Sequence, residues 1–254
     1  MYNRIRLFDQ SFNNVNTNGA LGIIDEYIDS KSNKIICGKN VFLVVECTRN
    51  KNMYRFYESV DLVTVDGRPL VYISRLLLKK PFSEMVGGPK LWSAMVGHIY
   101  RKKYSLFILG GTELVVKTAV SKLKHKYPDL NICGYRNGYF NNREIKQIVN
   151  ECKHRGPDII FLGLPSPLKE KIALKLKSGN ISSLVVLVGG MIDIFAEDKK
   201  LSPLWMSFLC LEWLYRLWQE PKRLWKRYLI SNFKFFMLLI KELLKKSCAL
   251  HGGI

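Results

Sequence analysis

The chain has 254 residues, 48% of them hydrophobic, and a formal net charge of +19. This length and apolar content suffice for a buried core, and the six cysteines (Cys37, Cys47, Cys133, Cys152, Cys210 and Cys248) contain no C-x-x-C pair, which argues against a disulfide or zinc scaffold. So large a positive charge predicts a polyanionic partner, either nucleic acid or the anionic face of a membrane, and the lack of a secretory signal ahead of the first polar segment predicts a reducing, cytoplasmic setting.

In chain order, Ile5 to Phe8 predicts an edge strand and Leu21 to Ile28 a helix. Apolar runs bounded by turn residues then predict buried strands at Val41 to Val45, Leu62 to Val65, Leu106 to Leu109, Ile159 to Leu162 and Leu184 to Val188. Helical patterns separate them at Asn52 to Ser59, Leu70 to Leu78, Leu91 to Arg101, Glu113 to Lys124, Arg143 to His154 and Leu168 to Leu176. Such alternation predicts an α/β fold, a Rossmann-like and mainly parallel sheet covered by helices on both faces. After Gly189-Gly190 no strand is expected, only helix with breaks near Pro203 and Pro221. The expected organisation is an α/β core over 1–195 and a helical, basic and aromatic appendage over 196–254.

Ligands of open parallel sheets bind beyond the carboxyl ends of the strands. The residues following the five runs are therefore the candidates: Thr48 and Asn50 after the first, Asp66-Gly67 after the second, Gly110-Gly111 after the third, Gly163 through Glu170 after the fourth, and Gly189-Gly190 with Asp193 after the fifth. Asp66 has two readings, a general base for a hydroxyl or a cap for the helix that follows. Thr48 and Asn50 suit a sugar or a helix start equally. The glycine pairs allow backbone N–H groups to approach a phosphate or sugar, but neither completes a P-loop or a dinucleotide fingerprint. His98, His125, His154 and His251 are scattered and no serine sits in G-x-S-x-G, so neither a metal site nor a covalent nucleophile is expected.

The tail carries the strongest signal. From Lys199 to Ser247 there are eleven Lys or Arg against three Glu, interleaved with Trp213, Trp218, Trp225, Tyr228 and several Phe and Leu. On a continuous helix the spacing of Arg216, Arg223 and Arg227 would place them on one face, although Pro221 must kink or restart it. Guanidinium forks suit phosphate oxygens, and Trp and Tyr suit a membrane interface, so a phosphorylated, lipid-attached ligand is expected. No run is long and apolar enough to cross a bilayer, which predicts interfacial attachment. A basic stripe for single-stranded nucleic acid is the rival, but no zinc-finger or RNP-like motif supports it.

Taken together, these pieces resemble the WecG/TagA/CpsF family of bacterial glycosyltransferases. The resemblance runs from about Asn40 to Asn232 and rests on Thr48-x-Asn50, Asp61 through Gly67, Gly110-Gly111, Gly138-Tyr139-Phe140, Gly163 through Glu170, Gly189-Gly190-x-x-Asp193 and the Leu-Glu-Trp…Arg-Leu…Glu-Pro…Arg…Arg-Tyr tail. It implies transfer of a sugar, commonly of N-acetylmannosamine type, from a UDP-sugar donor to a polyprenyl-diphosphate-linked saccharide at the cytoplasmic face of the cell membrane. Inversion at the anomeric carbon, no required metal or cofactor, and no nucleic-acid partner are implied with it; a homo-oligomer stays open.

By the same resemblance Asp66 is the base that deprotonates the acceptor hydroxyl. Thr48, Asn50, Lys169, Arg216, Arg223 and Arg227 are implied to bind substrate, the arginines through diphosphate. Gly110, Gly111, Tyr139, Gly163, Glu170, Gly190 and Asp193 are implied to bind nucleotide. Two positions depart from the family pattern, Lys169 in place of a glutamine and Met85 in place of an arginine, which puts a hexose donor beside the N-acetylated one. A non-catalytic membrane- or nucleic-acid-binding protein on the same fold is the alternative.

Overall fold

The computed structural model describes the backbone of residues 4–251 and the side chains of residues 4–247, so the Cys248 thiol and His251 ring named above lie outside the described side chains. The chain opens with β1 (Arg4–Leu7) and β2 (Gln10–Asn13), which pair antiparallel as a separate hairpin. Ile5 to Phe8 is therefore not an edge strand of the main sheet. Helix α1 (Thr17–Asp29) follows, capped by the Asn16 side chain.

The main sheet has six parallel strands: β3 (Ile35–Lys39), β4 (Leu62–Val65), β5 (Leu106–Gly110), β6 (Ile132–Arg136), β7 (Ile159–Gly163) and β8 (Leu184–Leu187), in the order β4-β3-β8-β7-β5-β6. Between and after them run α2 (Val41–Arg49), α3 (Lys51–Ser59), α4 (Arg68–Leu77), α5 (Gly88–Lys102), α6 (Glu113–Lys126), α7 (Ile145–Arg155), α8 (Leu168–Ser178), α9 (Met191–Phe195), α10 (Leu204–Phe208), α11 (Glu212–Gln219) and α12 (Pro221–His251). The first predicted strand is thus corrected: Val41 to Val45 is the start of a helix. Asn40 in extended conformation accepts from the Leu43 amide and caps it, and a five-residue apolar run cannot by itself distinguish a buried strand from a buried helical turn. The strand of this unit is Ile35 to Lys39, just upstream.

Alternation along the strands divides the core into two layers. Cys37, Val63, Val65, Phe107, Leu109, Ile160 and Leu162 face the hairpin with α2, α3, α4, α7, α8 and α12, whereas Ile36, Leu62, Leu106, Ile108, Ile159 and Phe161 face α1, α5, α6 and α9. The hairpin is tied to the end of β3 by Lys39, whose fully buried ammonium donates to Gln10 Oε1 at 3.3 Å and lies 4.8 Å from the Phe12 ring centroid. Burial lowers its proton affinity.

The C-terminal helices lie on this body. Helix α12 runs along α2, Phe235 enters the core and meets Phe8 edge-on at 5.4 Å, and Leu224 is buried near the helix start. No helix among the described residues is long and apolar enough to cross a membrane. If α12 is held by burial of its inner face, Phe235→Ala should lower unfolding free energy by about 3 kcal/mol, read from the denaturant midpoint at unchanged slope.

Candidate active site

All six strands of the sheet are parallel, so their carboxyl ends share one edge, and the polar residues gather there. Asp66 follows β4 directly. Its amide donates to the Lys39 carbonyl at 3.0 Å, which sets it beside the end of β3. The carboxyl group is seated against three glycines. A Cβ at Gly38 would lie 3.0 Å from Asp66 Cβ, one at Gly87 2.8 Å from it, and one at Gly88 2.8 Å from Asp66 Oδ1. The aspartate can therefore sit at this strand end only because three neighbouring positions have no side chain.

The carboxyl group has a structured set of charged neighbours. Burial pushes its pKa above the ordinary 3.8, and Glu212 adds to the rise; Arg216, Lys169 and a hydrogen bond from the Asn40 side chain oppose it. Asp66 remains half-buried. It does not cap α4, whose N-terminal position is Gly67 without a side-chain cap. The helix-cap reading of Asp66 is excluded by this geometry.

Glu212 and Arg216 come from α11, which a polar clasp through α10 holds to the first turns of α4. Arg68 Nε donates to Ser207 Oγ at 3.0 Å, its guanidinium lies 4.0 Å from the Phe208 ring centroid, and Ser207 in turn donates to Glu212. Tyr72 adds a bond to the Phe208 carbonyl at 3.2 Å.

The three arginines do not share one helix face. The helix breaks at Glu220, leaving Arg216 on α11 and Arg223 and Arg227 on α12. They nevertheless remain in electrostatic reach of one another: burial holds the Arg227 guanidinium below its ordinary value, and Arg223 and Arg216 lower it further. Arg223 is bound bidentately by Glu220, which also meets Lys199 at 3.2 Å; Lys199 reaches Asp193 at 3.3 Å. A chain of alternating charges thus joins the end of β8 to α12.

Glu170, next to Lys169, lies in the first turn of α8 and is 4% exposed. Its Oε1 accepts from the Tyr57 hydroxyl and from Ser166 Oγ, each at 2.7 Å, and lies 3.8 Å from Lys169 Nζ. Its Oε2 is buried without a hydrogen-bond partner, a state that favours a donor arriving from a ligand. Further along the edge the backbone itself forms the floor. Gly110 (φ 146°) packs so closely on β7 that a Cβ would lie 2.3 Å from the Gly163 carbonyl oxygen, and a Cβ on Gly163 would lie 2.3 Å from Ile192 Cδ1. Gly138 donates to the Gly111 carbonyl at 2.8 Å, and the exposed Tyr139 ring stands at the rim. Such an arrangement offers a flat, amide-rich floor, a carboxylate and several cations.

The sequence profile of the glycosyl transferase WecG/TagA/CpsF family matches residues 5–249. The chain belongs to the WecG/TagA/CpsF family. A relative from Bacillus subtilis (strain 168) is 29% identical over 216 residues, 85% of this chain and 82% of the relative. A second, from Bacillus spizizenii, is 27% identical over the same shares, and a third, from Staphylococcus aureus (strain MW2), is 27% identical over 86% of this chain and 85% of its own. All three carry the name N-acetylglucosaminyldiphosphoundecaprenol N-acetyl-beta-D-mannosaminyltransferase.

The blocks that carried the WecG/TagA/CpsF resemblance end β4 or follow β5, β6, β7 and β8 on this one edge, except the first and the tail, which lies on α11 and α12. Thr48 is exposed near the end of α2 and donates to the Val45 carbonyl at 2.7 Å; Asn50 caps α3, accepting from the Asn52 amide at 2.9 Å. Neither follows a strand. The strand-end position is held by Gly38-Lys39-Asn40, which the sequence reading passed over, as it did Gly87-Gly88, Glu212 and the Tyr57–Glu170 pair. Gly-Gly-Pro ahead of a helical pattern was a usable signal for the second of these. Met85, half-buried, packs against the core.

Two outcomes test this geometry. Gly87 has extended backbone that any residue can adopt, so Gly87→Ala acts by contact alone and should displace Asp66, costing about 1–3 kcal/mol of stability with secondary structure retained by circular dichroism. Because the folded-state pKa of Asp66 is raised, its contribution to stability is fully present below the ordinary 3.8 and is lost as pH rises through the folded value. Asp66→Asn should therefore raise Tm at pH 7, and the gain should vanish in melts below pH 3.8.

Proposed function

We propose that this glycosyltransferase moves a sugar from a UDP-sugar to a polyprenyl-diphosphate-linked saccharide, with inversion and without a required metal. The acceptor class follows the names of the relatives, which act on a diphosphoundecaprenol-linked N-acetylglucosamine. The observation that carries the reading is the placement of one half-buried carboxylate, Asp66, facing Arg216 and Lys169 at the strand-end edge, with Arg223 and Arg227 beyond.

The chemistry assigned to these groups is a single displacement. Asp66 removes the proton of the acceptor hydroxyl, the oxygen bonds to the anomeric carbon, and the bond from that carbon to the UDP oxygen breaks, releasing UDP. A pKa raised by burial makes Asp66 a better base than a free carboxylate, and the arginines offset charge on diphosphate. The glycine floor with Tyr139, Glu170, Gly190 and Asp193 is assigned to the nucleotide side, Lys169 and Asn40 to the sugar. Thr48 and Asn50, implied by the resemblance as substrate contacts, would have to act from the α2–α3 junction. The donor is an N-acetylmannosamine type or a hexose, with Lys169 offering an ammonium to its substituents.

Attachment to an anionic membrane on its cytoplasmic side completes the proposal. Leu204, Trp205, Phe208, Trp218 and Phe233 are among the large apolar side chains exposed on α10, α11 and α12, in a segment whose sequence also carries Lys222, Lys226 and Lys234. Such a surface suits an interface where apolar burial and attraction to anionic lipid act together.

Asp66→Asn should lower turnover by about 10²–10⁴-fold while leaving UDP affinity near wild type, measured by UDP release and calorimetry with a synthetic lipid-diphosphate acceptor. Unchanged turnover would favour a binding protein on the same fold. Activity should persist in EDTA. Binding to phosphatidylglycerol vesicles should weaken as salt rises from about 0.05 to 0.5 M, with no matching affinity for single-stranded DNA.

A further inference from the structure

Arg227 is held in a way that differs from its neighbours. Its guanidinium carbon lies 3.8 Å from the centroid of the Phe42 ring, at stacking distance, with Tyr228 more remote at 5.9 Å. Among the described residues it makes no ion pair with a carboxylate, and its buried Nε has no hydrogen-bond partner. Arg223, by contrast, is bound by Glu220 through Nε and one terminal nitrogen.

The two modes have different consequences for a guanidinium. A carboxylate fixes it by occupying its in-plane donors, so that an incoming oxyanion must compete for them. An aromatic face fixes its plane from above and leaves the donors around the rim free. Phe42 sits in the first turn of α2, two residues beyond Asn40, the residue that hydrogen-bonds Asp66. One helical turn therefore touches both the carboxylate and the buried arginine.

We propose that Phe42 is a positioning residue for diphosphate binding: its ring holds the Arg227 guanidinium flat, with its donors turned toward the phosphate oxygens. The proposal rests on the reading of Arg227 as a diphosphate ligand given above. The diphosphate belongs either to the nucleotide or to the lipid-linked acceptor, and the two are separable by measurement.

The test is a double-mutant cycle between Phe42→Leu and Arg227→Lys in the full chain. Two constants are followed, Kd for UDP alone and KM for a synthetic lipid-diphosphate acceptor. Phe42→Leu should weaken one of them about tenfold and leave the other, and kcat, within about twofold; the affected constant identifies which diphosphate Arg227 holds. Phe42→Tyr, which keeps the ring, should behave as wild type. Because a lysine cannot stack as a planar fork, Phe42→Leu should cost little more in the R227K background. Phe42→Met serves as a second ring-less variant if the leucine variant melts early.

Full additivity, or no change in either constant for a folded ring-less variant when R227K alone weakens binding, would overturn the role of Phe42 and leave the reading of the arginines intact. If R227K and R227A both bind UDP and acceptor as wild type, the diphosphate reading fails and the Phe42 proposal falls with it.

Discussion

The site depends on the placement of one ionisable carboxyl group where protein crowds it from nearly every side. Asp66 can occupy that place because Gly38, Gly87 and Gly88 leave room, and it keeps access to a charged form because Arg216, Lys169 and Asn40 offset the cost of burial. The opposing effects come from different parts of the chain. The space is cut by the ends of β3 and α5; the compensating charge arrives from α8 and from α11, about 150 residues further on. A fold that failed to bring α11 back to the strand ends would leave the aspartate with burial and much less compensation.

The C-terminal segment therefore has two physical tasks. Its inner side is part of the body of the protein: Phe235 lies against Phe8, and Arg68, Ser207 and Glu212 clasp α10 and α11 to the start of α4. Its outer side leaves large apolar groups in solvent beside lysines. An ordinary solvated helix would not present Trp205, Phe208 and Phe233 this way, since burying them elsewhere would stabilise the protein.

Much of this was legible in the residues. Leu62 to Val65, Leu106 to Leu109, Ile159 to Leu162 and Leu184 to Val188 were recognisable as strands because they are continuous apolar runs ended by glycine or aspartate, the pattern of strands buried on both faces. Val41 to Val45 has the same composition and is a helix, because Asn40 caps it; local composition does not reveal which of two adjacent segments pairs with β4 and β8. The true strand, Ile35 to Lys39, was masked by Gly38 and Lys39, the one serving Asp66 and the other buried beneath the hairpin. Strand β6 was missed for a similar reason, since Gly134 and Arg136 interrupt its apolar pattern. The arginines stand out in the sequence by type and spacing, but their common neighbourhood arises across a helix break, from tertiary packing that a helical projection does not contain.

Helix α12 is clamped along its length. Its first two turns hold Arg223 and Arg227, Phe235 is embedded at mid-length, and near the far end Lys246 donates to the Leu76 carbonyl at 2.6 Å. A rod fastened at several points cannot tilt at one end alone. Whatever surface settles against its outer stripe must therefore set the height of both guanidiniums together, like a gauge bar.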